Sequence, residues 1–292
     1  MELKKILVTG ANGQLGNEIR IIVLATEGCP GCEFLFTDIA ELDICNAPAV
    51  ESYVKQNGAD VIINCAAFTA VDKAESEEAL ARKINADAPG ILARAIEKRG
   101  GTMVQISTDY VFDGEACKPY TEESEVNPVS AYGRTKLAGE KAALDACRNT
   151  VIIRTAWLYS SFGHNFVKTM LKLGREREKL GVVFDQVGTP TYARALARAI
   201  VQIVSKPVVP GTYHFTDEGV TSWYDFTIAI HKLAGISTCK VSPLHTSDYP
   251  TPARRPHYSV LDKTKIKQTF SLEIPHWADS LKECLRIIEK QD

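Results

Sequence analysis

Nowhere in the 292 residues is there a run of 18 apolar side chains, so the sequence offers no candidate for a membrane-crossing helix. Nor is there an excess of charge. Lys and Arg total 34 against 36 Asp and Glu, a net charge of −2, which argues against a nucleic-acid or anionic-membrane partner. Internal repeats, low-complexity tracts and charged tails are missing as well. The opening Met1-Glu2-Leu3-Lys4-Lys5 runs into a strand-like segment without a secretory apolar stretch, so we expect a cytoplasmic protein. Cys29 and Cys32 have the spacing of a zinc or redox pair, but no second Cys or His pair completes four zinc ligands, and the pair precedes a strand instead of opening a helix. The eight cysteines therefore read as reduced thiols, and Cys29–Cys32 as an ordinary loop.

What is present is the material of a large core, 45% apolar and 24% charged. Ile6–Val8, Phe34–Phe36, Val61–Ile63, Met103–Ile106 and Val151–Ile153 are continuous apolar runs, the pattern of strands covered on both faces. Between them, Leu15–Leu24, Ala47–Gln56, Glu77–Lys98 and Ala131–Cys147 carry helical periodicity, with Gly100-Gly101 stopping the third. The alternation predicts an α/β fold, a doubly wound parallel sheet of Rossmann type with a ligand crevice at the C-terminal strand ends. The second half is less regular. It predicts helices at Asn165–Glu178, Ala193–Ser205 and Trp223–Leu233, strands near Val182–Phe184 and Thr212–Phe215, and a Pro-rich stretch from Pro243 to Pro256. We expect a dinucleotide-binding domain over 1–156 and, over 157–292, mainly a smaller α/β substrate-binding lobe, with some segments returning to the sheet.

Chemistry is expected just after each strand. The first is followed by Gly10-Ala11-Asn12-Gly13-Gln14-Leu15-Gly16, whose glycines permit a tight turn and close backbone approach to a pyrophosphate at a helix N-terminus. Its Gly-x-x-Gly-x-x-Gly spacing departs from the usual dinucleotide fingerprint, and alone it would also suit a plain glycine-rich turn. Asp38 ends the second strand, about 20 residues on, and could accept hydrogen bonds from an adenosine ribose; the competing reading is a turn or capping aspartate. A carboxylate there repels a 2′-phosphate, tilting the expectation to NADH over NADPH, although neighbouring residues can offset it. Asp43 and Ile44 could flank the adenine, and the small residues of Ala66-Ala67-Phe68 would let a cofactor lie against the third strand end. Asp72 and Lys73, just beyond, read equally well as a solvated pair opening a helix.

The fourth strand ends in Ser107-Thr108-Asp109-Tyr110, and Tyr132 and Lys136 follow at i and i+4 on one helix face. A nearby ammonium, helped by a positively charged nicotinamide, lowers a tyrosine pKa and lets Tyr132 exchange a proton with a carbonyl or alcohol oxygen. Thr108 could hydrogen-bond and polarise that oxygen. Tyr-x-x-x-Lys is common by chance; here the preceding glycine turn, acidic strand end and Thr108 give it context.

At these residues the chain resembles the extended short-chain dehydrogenase/reductase superfamily, and within it the dTDP-4-dehydrorhamnose reductases. The likeness spans essentially the whole chain. Its most specific strings are Thr69–Glu75, Ser107–Phe112, Tyr132–Glu140, Arg154–Trp157 and Tyr249–Pro256. The resemblance implies hydride delivery from NADH or NADPH to C4 of a dTDP-4-keto-6-deoxy-L-sugar, with Tyr132 protonating the new alkoxide, Lys136 holding the cofactor ribose and Thr108 orienting the keto group. It further implies sugar contacts from Asp109, Tyr110 and Trp157, and a nucleotide-diphosphate end lined by Asn165, Gln186 and Arg255. A core aromatic and a surface cation remain the plain alternatives for Trp157 and Arg255.

Some members of the resembled family form dimers bridged by magnesium between acids on the first helix and on a helix of the second half. Glu18 matches the first position, yet no Asp or Glu occurs from Gln186 to Thr216, where Arg194 stands near the expected second acid. We expect no magnesium-bridged site, and a monomer or a dimer built otherwise. Two other readings remain: a related nucleotide-sugar reductase or epimerase, and a non-catalytic dinucleotide-binding regulatory subunit.

Overall fold

The computed structural model describes residues 3–25 and 29–291. In chain order its first half comprises β1 (Lys4–Thr9), α1 (Gln14–Leu24), β2 (Cys32–Thr37), α2 (Ala47–Asn57), β3 (Val61–Asn64), α3 (Val71–Ala74), α4 (Glu78–Arg82), α5 (Ala88–Glu97), β4 (Thr102–Thr108), α6 (Ala131–Ala146) and β5 (Thr150–Thr155). The second half adds β6 (Leu158–Tyr159), α7 (Phe166–Glu176), β7 (Lys179–Val183), β8 (Val187–Gly188), β9 (Thr191–Tyr192), α8 (Ala193–Val204), β10 (Gly211–His214), β11 (Thr221–Ser222), α9 (Trp223–Leu233), β12 (Lys240–Leu244), α10 (Thr264–Phe270) and α11 (Trp277–Ile288).

Six strands form one parallel sheet in the order β10-β5-β4-β3-β1-β2. The apolar runs explain it. Successive strand side chains point to opposite faces: Ile6, Val8, Val61, Ile63, Val104, Val151 and Ile153 enter one core cluster, with α1, α7 and α8, while Leu7, Ile62, Met103 and Ile152 enter the other, with α2 and α5. Both faces are therefore covered, as a parallel sheet requires. β10, from the second half, closes one edge beside β5.

The chain leaves β1 toward β2 on one side and returns to β3 on the other, so the crevice opens between the C-terminal ends of β1 and β3. There the glycine turn meets the loop after β3. Gly10 has φ +65°, and a Cβ on it would lie 2.6 Å from the Ala66 backbone nitrogen, so no other residue fits.

The single helix expected over Glu77–Lys98 is instead α4 and α5 joined by a π turn at Lys83–Asp87. Pro89 lacks the N–H that would continue an α-helical ladder, and the wider turn carries Asn85 to the loop after β3. Its Oδ1 accepts from the Phe68 N–H at 2.8 Å and its Nδ2 donates to the Phe68 carbonyl at 3.1 Å.

The second half builds three two-stranded pairs, β7 with β12, β8 with β11 and β6 with β9. Pro243, expected in an irregular stretch, lies in β12, an edge strand that tolerates a missing donor. The thiol expectation is corrected at one pair: Cys29 and Cys32, with Cα atoms 5.5 Å apart in the turn entering β2, form a disulfide, while Cys45, Cys65, Cys117, Cys147, Cys239 and Cys284 are free. The turn itself brings the two sulfurs together. No helix among the described residues is long and apolar enough to cross a membrane.

Candidate active site

Three elements converge on the crevice: the N-terminus of α1, the end of β4 and the first two turns of α6. α1 begins on Gly13, which has no side chain to cap it, and no acid stands in its first turn. The first N–H groups of that helix thus keep their donor capacity and the positive end of the dipole, which fits an anionic pyrophosphate. Gln14 and Leu15 contribute through this backbone; the Leu15 side chain belongs to the core, and the Gln14 amide oxygen accepts from Asn165 at 3.0 Å.

Asp38 lies beside the glycine turn, with Oδ2 accepting from the Asn12 N–H at 2.9 Å and Oδ1 from the Ile39 N–H at 2.8 Å. It thus acts as a turn aspartate at the edge of the glycine turn. Asp43 accepts from the Cys45 N–H at 2.9 Å, and Ile44 is buried in the core cluster behind β1. The Ala66 N–H donates to Asn64 Oδ1 at 3.2 Å, and Phe68 and Tyr132 both pack against the small cluster of Ala74, Ala81 and Ala131.

A buried polar chain runs beneath the crevice across three strand ends. Thr9 donates to Asn64 at 2.7 Å, Asn64 to Gln105 at 2.8 Å, and Gln105 to the Ile106 carbonyl at 2.8 Å. Lys136 Nζ donates to that same carbonyl at 2.6 Å. Its side chain is buried, which pulls its pKa down to about 8 against the opposing charges of Glu140 and Cys65.

α6 starts on Ser130, which accepts from the Gly133 N–H at 3.1 Å, while Glu75 accepts from the Ala131 N–H at 2.8 Å and anchors that first turn to the segment after β3. Tyr132 consequently projects next to the β4 end, its ring 5.5 Å from that of Tyr110 in an edge contact. Burial pushes its phenol up to about 12; a hydrogen bond with Thr108 opposes the shift and Asp109 adds to it. Lys136 shares its helix face but is bonded to the β4 backbone, not to the phenol. Thr108 is buried, accepts from the Tyr110 N–H at 3.2 Å and bonds Asp109 at 2.9 Å.

Beyond this trio opens a cavity of about 460 Å³ lined by Asp72, Trp157, Asn165, Phe166, Trp223 and Arg255 among others. Trp157 stands at φ +50°, a backbone strain rare outside glycine, and stacks on Trp223 at 3.5 Å with 8° between the rings. Arg255 grips Asp72 with two hydrogen bonds of 3.0 and 2.8 Å, linking the segment after β3 to the Pro-rich stretch across the crevice. That contact holds the Asp72 carboxyl below the usual range; in Arg255 burial pulls the guanidinium down, and the bond to Asp72 together with Tyr110 and Tyr249 raises it overall.

Trp157, Asn165 and Arg255 thus share the cavity, though the Asn165 amide also caps α7 and bonds the Ser160 carbonyl at 2.7 Å. Gln186 is buried and donates to Thr246 at 3.2 Å, and Asp109 is closed in behind Thr108. The sequence reading missed Trp223, which carries no signal linking it to Trp157, and the latching role of Asp72. Glu18 is fully buried; it accepts from Ser160 at 2.6 Å and pairs with Arg194 at 2.7 Å within the same chain. Among the described residues no group of three or more His, Cys, Asp or Glu could hold a metal ion.

The family model of the RmlD substrate binding domain matches residues 4–290. A dTDP-4-dehydrorhamnose reductase of Burkholderia thailandensis is 40% identical over 98% of this chain and 100% of its own length. The crystal structure of a dTDP-4-dehydrorhamnose reductase from Clostridium acetobutylicum superposes with a TM-score of 0.92 at 47% identity, covering 98% of this chain and 99% of that one. A Bacillus anthracis dTDP-4-dehydrorhamnose reductase in complex with NADP gives 0.92 at 36% identity, over 98% of this chain and 100% of the other. Matched along nearly its whole length by that model and by these relatives, the chain belongs to the dTDP-4-dehydrorhamnose reductase family.

Proposed function

We propose that the protein uses NADH or NADPH to reduce the C4 keto group of dTDP-4-dehydro-L-rhamnose, giving dTDP-L-rhamnose. The observation that carries this reading is the joint placement of Thr108, Tyr132 and Lys136 at the β4 end beside an uncapped helix N-terminus. A reduced nicotinamide, when bound, supplies the hydride. Tyr132, protonated across the physiological range, gives its proton to the alkoxide oxygen. Thr108 orients that oxygen, and Lys136 braces the β4 end and offers its ammonium to the cofactor ribose. Gly10, Gly13, Gly16 and the α1 N-terminus hold the pyrophosphate, with Asp38 on the adenosine ribose. Tyr110, Trp157, Trp223 and Arg255 form the wall for the sugar nucleotide. The division of labour follows the halves of the chain, 1–156 for dinucleotide and 157–292 mainly for the sugar nucleotide.

No magnesium-bridged dimer is expected, since Glu18 is neutralised by Arg194. The test is oxidation of NADH and NADPH by purified protein with dTDP-4-keto-6-deoxy-L-mannose generated in situ, with and without chelator. Turnover that survives chelation supports the whole reading; bound dinucleotide without oxidation overturns it in favour of another keto sugar or a regulatory role.

A further inference from the structure

Asp109 was expected to touch the sugar, but its surroundings fit another task. It is 2% exposed, and its Oδ2 has no hydrogen-bond partner. Oδ1 lies 2.9 Å from Thr108 Oγ1. The groups facing the carboxyl are the Tyr110 N–H and phenol on its own segment, the Tyr132 phenol on α6 and the Ser259 hydroxyl from the chain beyond the Pro-rich stretch. None of these is a cation.

Counting protons gives the consequence. A threonine hydroxyl holds one proton, and an ionised carboxylate only accepts. With Asp109 ionised, the Thr108 proton is directed at Oδ1, and Thr108 has nothing to donate to a keto oxygen beside Tyr132. With Asp109 protonated, the carboxyl donates to Oγ1 and the hydroxyl proton is released to turn. Oγ1 then accepts from Asp109 and from the Tyr110 N–H, so the bond it shares with the Tyr132 phenol is one it donates, and that proton passes to a keto oxygen when one enters beside Tyr132.

We propose that Asp109 is a positioning residue for the reduction, its protonated form donating to Thr108 and so turning the Thr108 hydroxyl toward the substrate's keto oxygen. The inference rests on the reductase reading above. No proton leaves Asp109 during turnover: the alkoxide takes its proton from Tyr132, and Asp109 only fixes which way the Thr108 hydroxyl points. Burial pushes the carboxyl up to about 6 against its bonds to Thr108 and Ser259, so both forms occur near neutral pH. A sugar nucleotide that expels water from the crevice shifts the balance further toward the protonated form.

The experiment is the pH dependence of kcat and KM from pH 5 to 9 for the wild type, Asp109→Asn and Asp109→Asn combined with Thr108→Val. Wild-type kcat/KM should fall about tenfold per pH unit above a midpoint near pH 6. Asp109→Asn, whose amide always donates to Thr108, should lose that limb while the sugar KM moves by less than about twofold. In the Thr108→Val background, Asp109→Asn should change the profile no further. Carbon-13 NMR of the wild-type Asp109 carboxyl, assigned through its backbone, should titrate with a midpoint near 6 and needs no variant to fold. The proposal is overturned by wild-type turnover that is flat from pH 5 to 8, by a limb near pH 6 that persists in Asp109→Asn, by a variant that raises KM alone, or by a carboxyl midpoint below 5. Absence of wild-type turnover would instead sink the reductase reading.

Discussion

The ammonium of Lys136 is fastened to the carbonyl of Ile106 at 2.6 Å, one turn below the Tyr132 phenol it was expected to neighbour. The lysine therefore braces the end of β4, and the phenol by itself remains a strong proton holder near 12. A group that keeps its proton so firmly is suited to giving it to a far more basic alkoxide.

Tyr132→Phe should lower kcat by about 10²–10⁴-fold. Because the ring keeps its packing against Ala74, Ala81 and Ala131 and its edge contact with Tyr110, dinucleotide affinity should stay within a few-fold. Calorimetric titration with dinucleotide, alongside steady-state assays, separates the two; full turnover in the variant would remove the acid role from Tyr132.

Asp38 is bonded to Asn12, so Asp38→Ala acts in two ways. It should weaken both dinucleotides by loosening the glycine turn, and it should narrow the preference between NADH and NADPH by removing a charge that repels a 2′-phosphate. An unchanged ratio of the two kcat/KM values would show that Asp38 serves the turn alone.

The Trp157–Trp223 stack should report on the sugar nucleotide. Aromatic pairs contribute about 0.5–1.5 kcal/mol beyond their buried area, so Trp223→Ala should raise the sugar KM by roughly two- to tenfold with dinucleotide affinity little changed. If dinucleotide binding moves and the sugar KM does not, the cavity has been assigned to the wrong ligand.

Glu18 and Arg194 form a buried pair. Removing one partner of such a pair typically costs about 3–5 kcal/mol, because the other charge is left uncompensated, so Arg194→Ala should be strongly destabilising in urea unfolding. Glu18→Gln with Arg194→Met, a neutral replacement of both, should recover most of the loss. A single variant as stable as the wild type would mean that water reaches Glu18.

His214 couples acid to unfolding. Burial, and then the charge of Arg154, pull its imidazole down to about 3, while the Nδ1–H donates to the Tyr120 carbonyl at 3.1 Å. An unfolded histidine takes its proton near pH 6.5, so below that pH the unfolded chain binds the extra proton. Stability present at pH 7 is then lost as pH falls toward 3, by up to about 1.4 kcal/mol per unit. Urea midpoints at pH 7, 5.5 and 4.5 should decline more steeply for the wild type than for His214→Asn; parallel lines would exclude His214 as the coupling group.

Much of this was legible because the parallel sheet writes itself into continuous apolar runs, and because Thr108, Tyr132 and Lys136 sit at strand and helix positions that hydrophobic spacing reveals. Asp72, read there as a surface charge, finds Arg255 across 183 positions of sequence, and no local pattern announces such a partner. The sequence reading placed no helix at α11, although His276 caps it and Leu281, Cys284, Leu285 and Ile288 face the core. The break in the Glu77–Lys98 helix could have been suspected from Pro89; the π form of the break could not, because it is set by the bonds of Asn85 to a distant loop.

That π turn at Lys83–Asp87 also sets a phase. An α-helix advances about 100° per residue, so deleting one residue from the turn would close it into regular helix and rotate α5 by roughly that angle about its axis. Leu92, Ala93 and Ile96, which face the sheet, would swing toward solvent, and Asn85 would point away from Phe68. The extra residue is thus a phase shifter: it lets one stretch of chain satisfy two angular demands, a polar side chain aimed into the loop after β3 and an apolar stripe aimed at the core.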